Sequence, residues 1–292
     1  MTEHHQLNLR AAKASVFAAM ALIVIKIAAL VMTDALSIAA SLVDSGLDLM
    51  MSLGAITAIF YAARPPDEDH AFGHTSVEDL TALFQALILI LSAIGLISGA
   101  VLRFQAEEPP QLAAEGWGVL AMVLSMAITM ALVWWQGYVA GRTGNRVIAA
   151  DRLHYMADLL PAAGSILALL ASKYFGIWQL DAIVAVIAAL VLLKGAAGIG
   201  RGAWDALMDR RADPEIIAGI SAIADRWPGV ISWHDLKTRT SGSQIFAQLH
   251  IELDGNLPLH EAHDIGAGLR RAIRESYPQV DLIIHKDVAG RD

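Results

Sequence analysis

Four side chains of metal-ligand type lie in two pairs along this 292-residue chain. Asp44 and Asp48 stand four apart, and so do His154 and Asp158. Residues at that spacing project from one helix face, so each pair offers two ligands on the same side of its segment. Three carboxylates and one imidazole make four ligands for a tetrahedral site, which suits Zn²⁺. With no thiolate among them, Mn²⁺, Fe²⁺, Co²⁺ and Cd²⁺ stay open as well, since affinity alone does not separate such metals. Both pairs sit inside long apolar runs. An ionisable side chain at mid-bilayer costs about 3 kcal/mol on insertion scales, so four of them need compensation. Bonding between neighbouring helices, or a place near the water interface, would account for a single such residue. Two pairs of ligand type on two runs call for a divalent cation held between them.

The elements that carry these pairs read as membrane spans. The chain is 56% hydrophobic and 17% charged, where soluble proteins are roughly half apolar and about 25% charged. That balance argues against an ordinary soluble enzyme. Of its 50 charged residues, 23 fall in the last 84 positions. The two parts are built for different solvents. A net charge of -8 argues against a nucleic-acid partner, which would need a surplus of Lys and Arg. There is no cysteine, so disulfides and thiolate zinc sites are excluded.

A helix needs about 20 apolar residues to cross the hydrocarbon core, and six runs approach that length. They are about Ala12 to Met32, interrupted only by Lys26, then Leu36 to Ala62, Val77 to Phe104, Gly116 to Ala140, Val147 to Ser172 and Asp181 to Gly200. The polar N-terminus is followed by no small-residue cleavage site, so the first run is expected to be retained. Arg10 and Lys13, Arg64, the group Arg142, Arg146 and Arg152, and the group Arg201, Arg210 and Arg211 alternate with connections poor in positive charge. By the positive-inside rule both termini are expected to be cytoplasmic. Gly95 with Gly99, and Gly137 with Gly141, are small pairs four apart that would let helix backbones approach.

From about Asp213 the pattern becomes that of a small soluble domain. Asp213 and Pro214 read as the N-cap and first position of a helix running to about Trp227. Strands follow at about Val230 to Thr240 and Gln244 to Asp254, then a helix from Pro258 to Tyr277 and a strand from Val280 to Lys286. That order predicts an α+β sandwich with its helices on one face of a three-stranded sheet, and domains of 1–208 and 209–292.

Two further groups have metal-ligand composition. The second connection holds Asp67, Asp69, His70 and His74; the spacing fits a metal, and a solvated loop also carries such residues. In the tail, His285 and Asp287 are two apart on a predicted strand end and face the same side. His234 and His250 sit on predicted adjacent strands, and His263 and His260 lie on the second helix. Each of these taken alone reads as an ordinary surface histidine.

The AspXxxXxxXxxAsp pattern of Asp44 and Asp48, with the HisXxxXxxXxxAsp pattern of His154 and Asp158, resembles the cation diffusion facilitator family, and the similarity covers nearly the whole chain. The resemblance implies six spans followed by a cytoplasmic ferredoxin-like (metallochaperone-like) domain, with Asp44, Asp48, His154 and Asp158 as the transport site. It implies a second site at Asp67, His70 and His74, with Asp69 in reserve. It further implies a homodimer through the cytoplasmic domain, with a paired zinc site at the interface matching His234, His250, His263, His285 and Asp287. Filling that site would relieve carboxylate repulsion between subunits and link cytosolic metal to conformation. The histidine heading the second pair is similar to the zinc and cadmium branch. One departure stands out. Ser76 replaces a lysine that in relatives pairs with an aspartate after the sixth span, here Asp209, so that interlock is expected to be missing or rebuilt with Arg210 or Arg211. Lys286 also places a positive charge beside the regulatory site.

Metal and protons compete for the same ligands, because only deprotonated ligands bind. A site opening alternately to a neutral inside and a more acidic outside then exchanges metal for protons, with His154 the natural carrier near neutral pH. No GxxxxGK[ST] loop for ATP occurs. The expectation is therefore a proton-coupled exporter of divalent cations in the inner membrane, not an enzyme. A passive metal channel and a membrane-anchored metal sensor are the competing readings. The sensor leaves acidic pairs deep in the bilayer unexplained, and the channel is separated by a test of proton coupling.

Overall fold

The structure is a computed structural model that describes residues 3–33, 36–105, 116–159 and 180–290. It divides into two compact units, one up to Ala203 and the other from Trp204. The first is helical, with α1 (Glu3–Thr33), α2 (Leu36–Ala62), α3 (Ser76–Gln105), α4 (Gly116–Thr143), α5 (residues 146–159 of those described) and α6 (Leu180–Leu207).

Of the six expected spans, α1, α3, α4 and α6 are clear by length and apolar composition. The helix α2 adds 27 residues, and residues 160–172 of the fifth run lie outside the described residues. Residues 106–115 and 173–179, within connections expected to be poor in positive charge, lie outside them too. The helices overrun the apolar runs that predict them, with α1 starting at Glu3 and α6 ending at Leu207. Backbone hydrogen bonding continues past the hydrocarbon boundary, whereas hydropathy marks only that boundary. What stops α6 is local: Asp209 takes φ 57° while Arg210 N–H donates to the Asp205 carbonyl at 2.9 Å, a left-handed helix cap.

The interior of the first unit is dominated by alanine, including Ala11, Ala12, Ala55, Ala93, Ala189 and Ala196, all fully or nearly buried. Lipid tails give helices no hydrophobic reason to associate, so small side chains that permit dense contact take over. The helix α5 is shared between two packing groups. Its Leu153 and Ala157 pack with α3 and α6, while Tyr155 packs with Ala18 and Leu22 of α1 and Leu132 of α4. Of the four expected glycines, Gly137 of α4 makes a close approach, where an added Cβ would meet the Arg152 guanidinium of α5 at 3.0 Å, while at Gly95, Gly99 and Gly141 it would meet nothing within 4 Å. A closer approach falls at Gly195 of α6, where an added Cβ would meet Leu153 of α5 at 2.9 Å. The α4–α5 turn uses Gly144 at φ 64°, and Asn145 Oδ1 then accepts the Ile148 N–H at 3.1 Å as the N-cap of α5.

The second unit comprises α7 (Pro214–Ala224), β1 (Ser232–Ser241), β2 (Gln244–Leu253), α8 (Leu259–Ser276) and β3 (Val280–Val288). The sheet order is β1-β2-β3, with β1 antiparallel and β3 parallel to β2. Alternation along β2 assigns its faces: Ile245, Ala247, Leu249, Ile251 and Leu253 are buried against α7 and α8, and the residues between them are not. The predicted order holds, and most boundaries agree within two or three residues. The helix α7 stops at Ala224, short of Trp227. Trp227 instead turns its indole N–H to the Ile265 carbonyl of α8 at 3.1 Å, which ties the chain leaving α7 to the second helix.

Asp209 finds its partner inside this unit, Arg239 at 3.4 Å. Arg210 pairs with Asp205 at 3.0 Å and does not serve Asp209, contrary to one of the expected replacements.

Candidate functional site

Among the described residues the structure brings three sets of ligand atoms within 4.8 Å of one another: Asp48, His154 and Asp158; Asp67, His70 and His74; and His234, His250 and Asp287. The first joins the two helical pairs. Asp48 of α2 and Asp158 of α5 flank His154, whose Nε2 lies 3.0 Å from Asp48 Oδ1. Asp48 is buried and Asp158 is exposed. Asp44 lies one turn before Asp48 on α2, and its side chain is outside the described residues.

This group sits beside a polar network joining α1, α4 and α5. Ser15 of α1 donates to Asp151 Oδ2 at 2.5 Å, and Gln136 of α4 donates to the same oxygen at 2.6 Å and to Ser15 at 2.8 Å. Tyr155 hydrogen-bonds Ser52 of α2 at 2.9 Å. Asp151 and Tyr155 lie three residues before and one after His154, so these bonds orient α5 against α1, α2 and α4. Asp151 is a fully interior acid that sequence reading missed. Its one signal is its position three residues before His154, on the same helix face.

The second group lies in the α2–α3 connection. Asp67 organises it: Oδ1 accepts the backbone N–H groups of Asp69 at 3.1 Å and His70 at 2.7 Å. The His70 ring reaches the same oxygen at 3.1 Å, and His74 Nε2 lies 3.2 Å from Oδ2. His74 is buried, with Nδ1 3.4 Å from the Arg64 carbonyl. A proton on Nδ1 toward that carbonyl leaves the Nε2 lone pair facing a carboxylate, an arrangement that a cation between them would relieve. Desolvation, the largest single influence, works against ionising Asp67, yet the bonds from His70 together with the His70 and His74 charges outweigh it and hold its carboxyl below the ordinary range. Asp69 contributes its backbone and is not among the clustered ligand atoms.

The third group is made by sheet register. His234 pairs across β1 and β2 with His250, and His250 pairs across β2 and β3 with His285. Cross-strand partners share a face, so three imidazoles form a row, with ring centroids 5.2 Å and 4.7 Å apart. They stand on the face turned away from α7 and α8. A register shift just after His234, with Asp235 at φ 51°, is a β-bulge of the kind that re-aims a side chain. Asp287 meets all three rings, at 2.9 Å from His250, 3.1 Å from His285 and 3.6 Å from His234. His263 is exposed on α8, the layer on the opposite face of the sheet, and is not in this group.

The Asp287 carboxyl is held below its ordinary range by the His250 hydrogen bond first; the charges of His285, His250 and His234 add to this, and partial desolvation opposes it. Because the folded value is depressed, the stabilisation is complete above the ordinary carboxylate value of 3.8 and is lost as pH falls through the lower folded value. A carboxyl-carbon NMR titration of metal-free protein is expected to place the Asp287 midpoint below 3.8, and His250→Ala should move it back up. A midpoint indifferent to His250 would contradict the assignment.

Residues 12–208 match the family description "cation efflux transmembrane domain", and residues 212–288 match "cation efflux protein, cytoplasmic domain". The chain is 38% identical to the cation-efflux pump FieF of Klebsiella pneumoniae over 278 residues, 95% of this chain and 92% of the relative. It is 33% identical to protein p34 of Rickettsia prowazekii over 287 residues, 98% and 94% of the two chains. Among solved structures, the metal-bound C-terminal domain of the CzcD transporter from Thermotoga maritima aligns with 26% of this chain and 91% of its own, at 26% identity and a TM-score of 0.26.

Proposed function

Because the chain belongs to the cation diffusion facilitator family, we propose that it is a proton-coupled antiporter of the inner membrane exporting divalent transition-metal cations, zinc foremost. Cation efflux is the activity that the name of the Klebsiella pneumoniae relative states. Residues 1–208 act as the transporting domain and 209–292 as a cytoplasmic dimerisation domain, with both termini inside. Asp44, Asp48, His154 and Asp158 form the transport site, Asp67, His70 and His74 a site at the cytoplasmic connection, and His234, His250, His285 and Asp287 a regulatory zinc site, with His263 supplied at the dimer interface.

The observation that carries the transport reading is the meeting of α2 and α5 at Asp48, His154 and Asp158. Acids in a membrane helix face a partner or water. Asp158, the exposed member, is where water and the ion reach the group. Coupling then follows from ligand chemistry. Zn²⁺ displaces the proton from His154 and any proton held by the carboxylates, and the more acidic side returns them and expels the metal. The group's own residues thus serve as both metal cage and proton carrier.

Reconstituted vesicles with an imposed pH gradient test the reading. An interior made acidic should drive Zn²⁺ inward against its own gradient, and collapsing the proton gradient with an ionophore should stop it. Zinc that only runs down its gradient, whatever the pH, would make the protein a passive channel.

A further inference from the structure

Two arginines stand at one level of the helical unit with no acid to answer them. Arg152 of α5 lies inside the fifth apolar run, about 9 Å along the helix from Arg146. It makes no ion pair among the described residues, and its Nε is buried without a hydrogen-bond partner. Its guanidinium is laid against α4 where Gly137 has no side chain. A Cβ there would meet Arg152 Cζ and Nε at 3.0 Å and Nη2 at 3.3 Å. At Gly141, one turn on, a Cβ would meet nothing within 4 Å, so room is left beside the guanidinium.

Arg142 comes to the same level from the end of α4. It is exposed in the last turn of that helix, and like other helical side chains it leans back toward the N-terminus. Its Cζ lies 4.8 Å from the centroid of the Tyr138 ring, and it too makes no ion pair among the described residues. One guanidinium therefore lies beside residue 137 and the other over residue 138, positions that differ by about 1.5 Å in height. The depth is marked independently. Trp134 is 75% and Tyr138 43% exposed on a helix that is a candidate membrane span, and Trp and Tyr on the outside of such a helix lie at the headgroup level.

An anion is what this place lacks. A guanidinium is a planar fork of donors that matches the oxygens of a phosphate, and at the headgroup level the phosphates on hand belong to lipids. The aromatic side chains beside them suit the start of the acyl chains. Two cations without a carboxylate favour a lipid with net negative charge and disfavour one whose headgroup carries its own cation. We propose that Arg152 and Arg142, on the face of α4 that carries Gly137, Tyr138 and Trp134, form a binding site for the headgroup of an anionic phospholipid. The site stands on the placement of α4 and α5 in a membrane, and not on the metal or the coupling assigned above.

Full-length protein, stripped of lipid in a neutral detergent, is titrated with phosphatidylglycerol and with phosphatidylcholine, and bound lipid is counted by native mass spectrometry. Phosphatidylglycerol should bind about tenfold or more tightly than phosphatidylcholine, as two basic residues near the headgroup would give. Arg152→Gln should weaken phosphatidylglycerol about tenfold or more, through loss of its charge-assisted bonds. Arg142→Gln should weaken it several-fold; its side chain is exposed, so it decides the matter if the Arg152 variant does not fold. Arg271→Gln removes the same charge from an exposed position on α8 and should leave the affinity as it was. Glycerol phosphate, the same anion without acyl chains, should not displace the lipid at equal concentration. The proposal is overturned by equal affinity for the two lipids, by unchanged phosphatidylglycerol binding in either Arg152→Gln or Arg142→Gln, by an equal fall in Arg271→Gln, or by displacement with glycerol phosphate, which would make this a site for a soluble phosphate.

Discussion

Replacing Asp158 with alanine is expected to abolish coupled zinc flux in vesicles. Structural zinc sites bind with about 10–16 kcal/mol of apparent free energy, so each of four ligands carries roughly 3 kcal/mol, on the order of 100-fold in affinity. Flux should fall further than affinity does. Asp158 is the exposed member of its group, the ligand open to an arriving ion. The alanine also removes one of the acids that can exchange a proton for the metal. Asp158→Asn separates the two roles: it keeps size and one oxygen ligand but cannot titrate, so residual zinc movement in it should still answer to the pH gradient through His154 while exchanging fewer protons per ion. His285→Ala, in the sheet of the second unit, should leave flux through the transport site intact at saturating zinc. Retained, pH-driven flux in Asp158→Ala would remove Asp158 from the transport site.

What the residue pattern disclosed and what it withheld follow from the range of the interaction involved. Asp44 with Asp48, and His154 with Asp158, are legible because four-residue spacing fixes a common helix face with no tertiary information. That α2 and α5 meet so that His154 lies 3.0 Å from Asp48 is a contact across 106 residues, and spacing says nothing about it. The row of His234, His250 and His285 was visible as three histidines on three predicted strands. Only the register puts them side by side, and a bulge at Asp235 adjusts it. The Ser15, Gln136 and Asp151 network escaped notice because each residue is unremarkable in its own helix, and Ser15 and Asp151 are 136 positions apart. Glycine pairs informed only in part, with Gly137 but not Gly95, Gly99 or Gly141 at a close approach, for the complementary reason. A repeat four apart shows where a helix is able to approach a neighbour, while the neighbour's own side chain, Leu153 against Gly195, determines where it does.

The other large effect is expected at the pair that ties α3 to α5. Arg146 Nη1 lies 2.5 Å from Asp79 Oδ1, with the Asp79 side chain only 1% exposed and Arg146 27%. Beside it, Asn145 donates to Glu78 Oε1 at 2.9 Å, so two neighbouring residues at the start of α5 hold the two acids in the first turn of α3. An exposed ion pair would contribute 1 kcal/mol or less. A buried acid stripped of its cationic partner behaves differently, because its desolvation is already incurred, which costs about 3–5 kcal/mol. The α3 N-terminus recovers about 0.3–1 kcal/mol of that through its dipole, so Arg146→Ala should destabilise the helical unit by about 3 kcal/mol. Unfolding of the detergent-solubilised protein, followed by helical circular dichroism in a denaturant series, measures it. Pairing Arg146→Met with Asp79→Leu removes both charges at similar volume, and most of the lost stability should return, as happens when a buried pair is replaced by apolar packing. A cost below about 1 kcal/mol for Arg146→Ala would mean that water reaches Asp79 once the guanidinium is gone. The α3–α5 contact would then rest on Leu89, Ala93, Leu153 and Ala157 and not on charge.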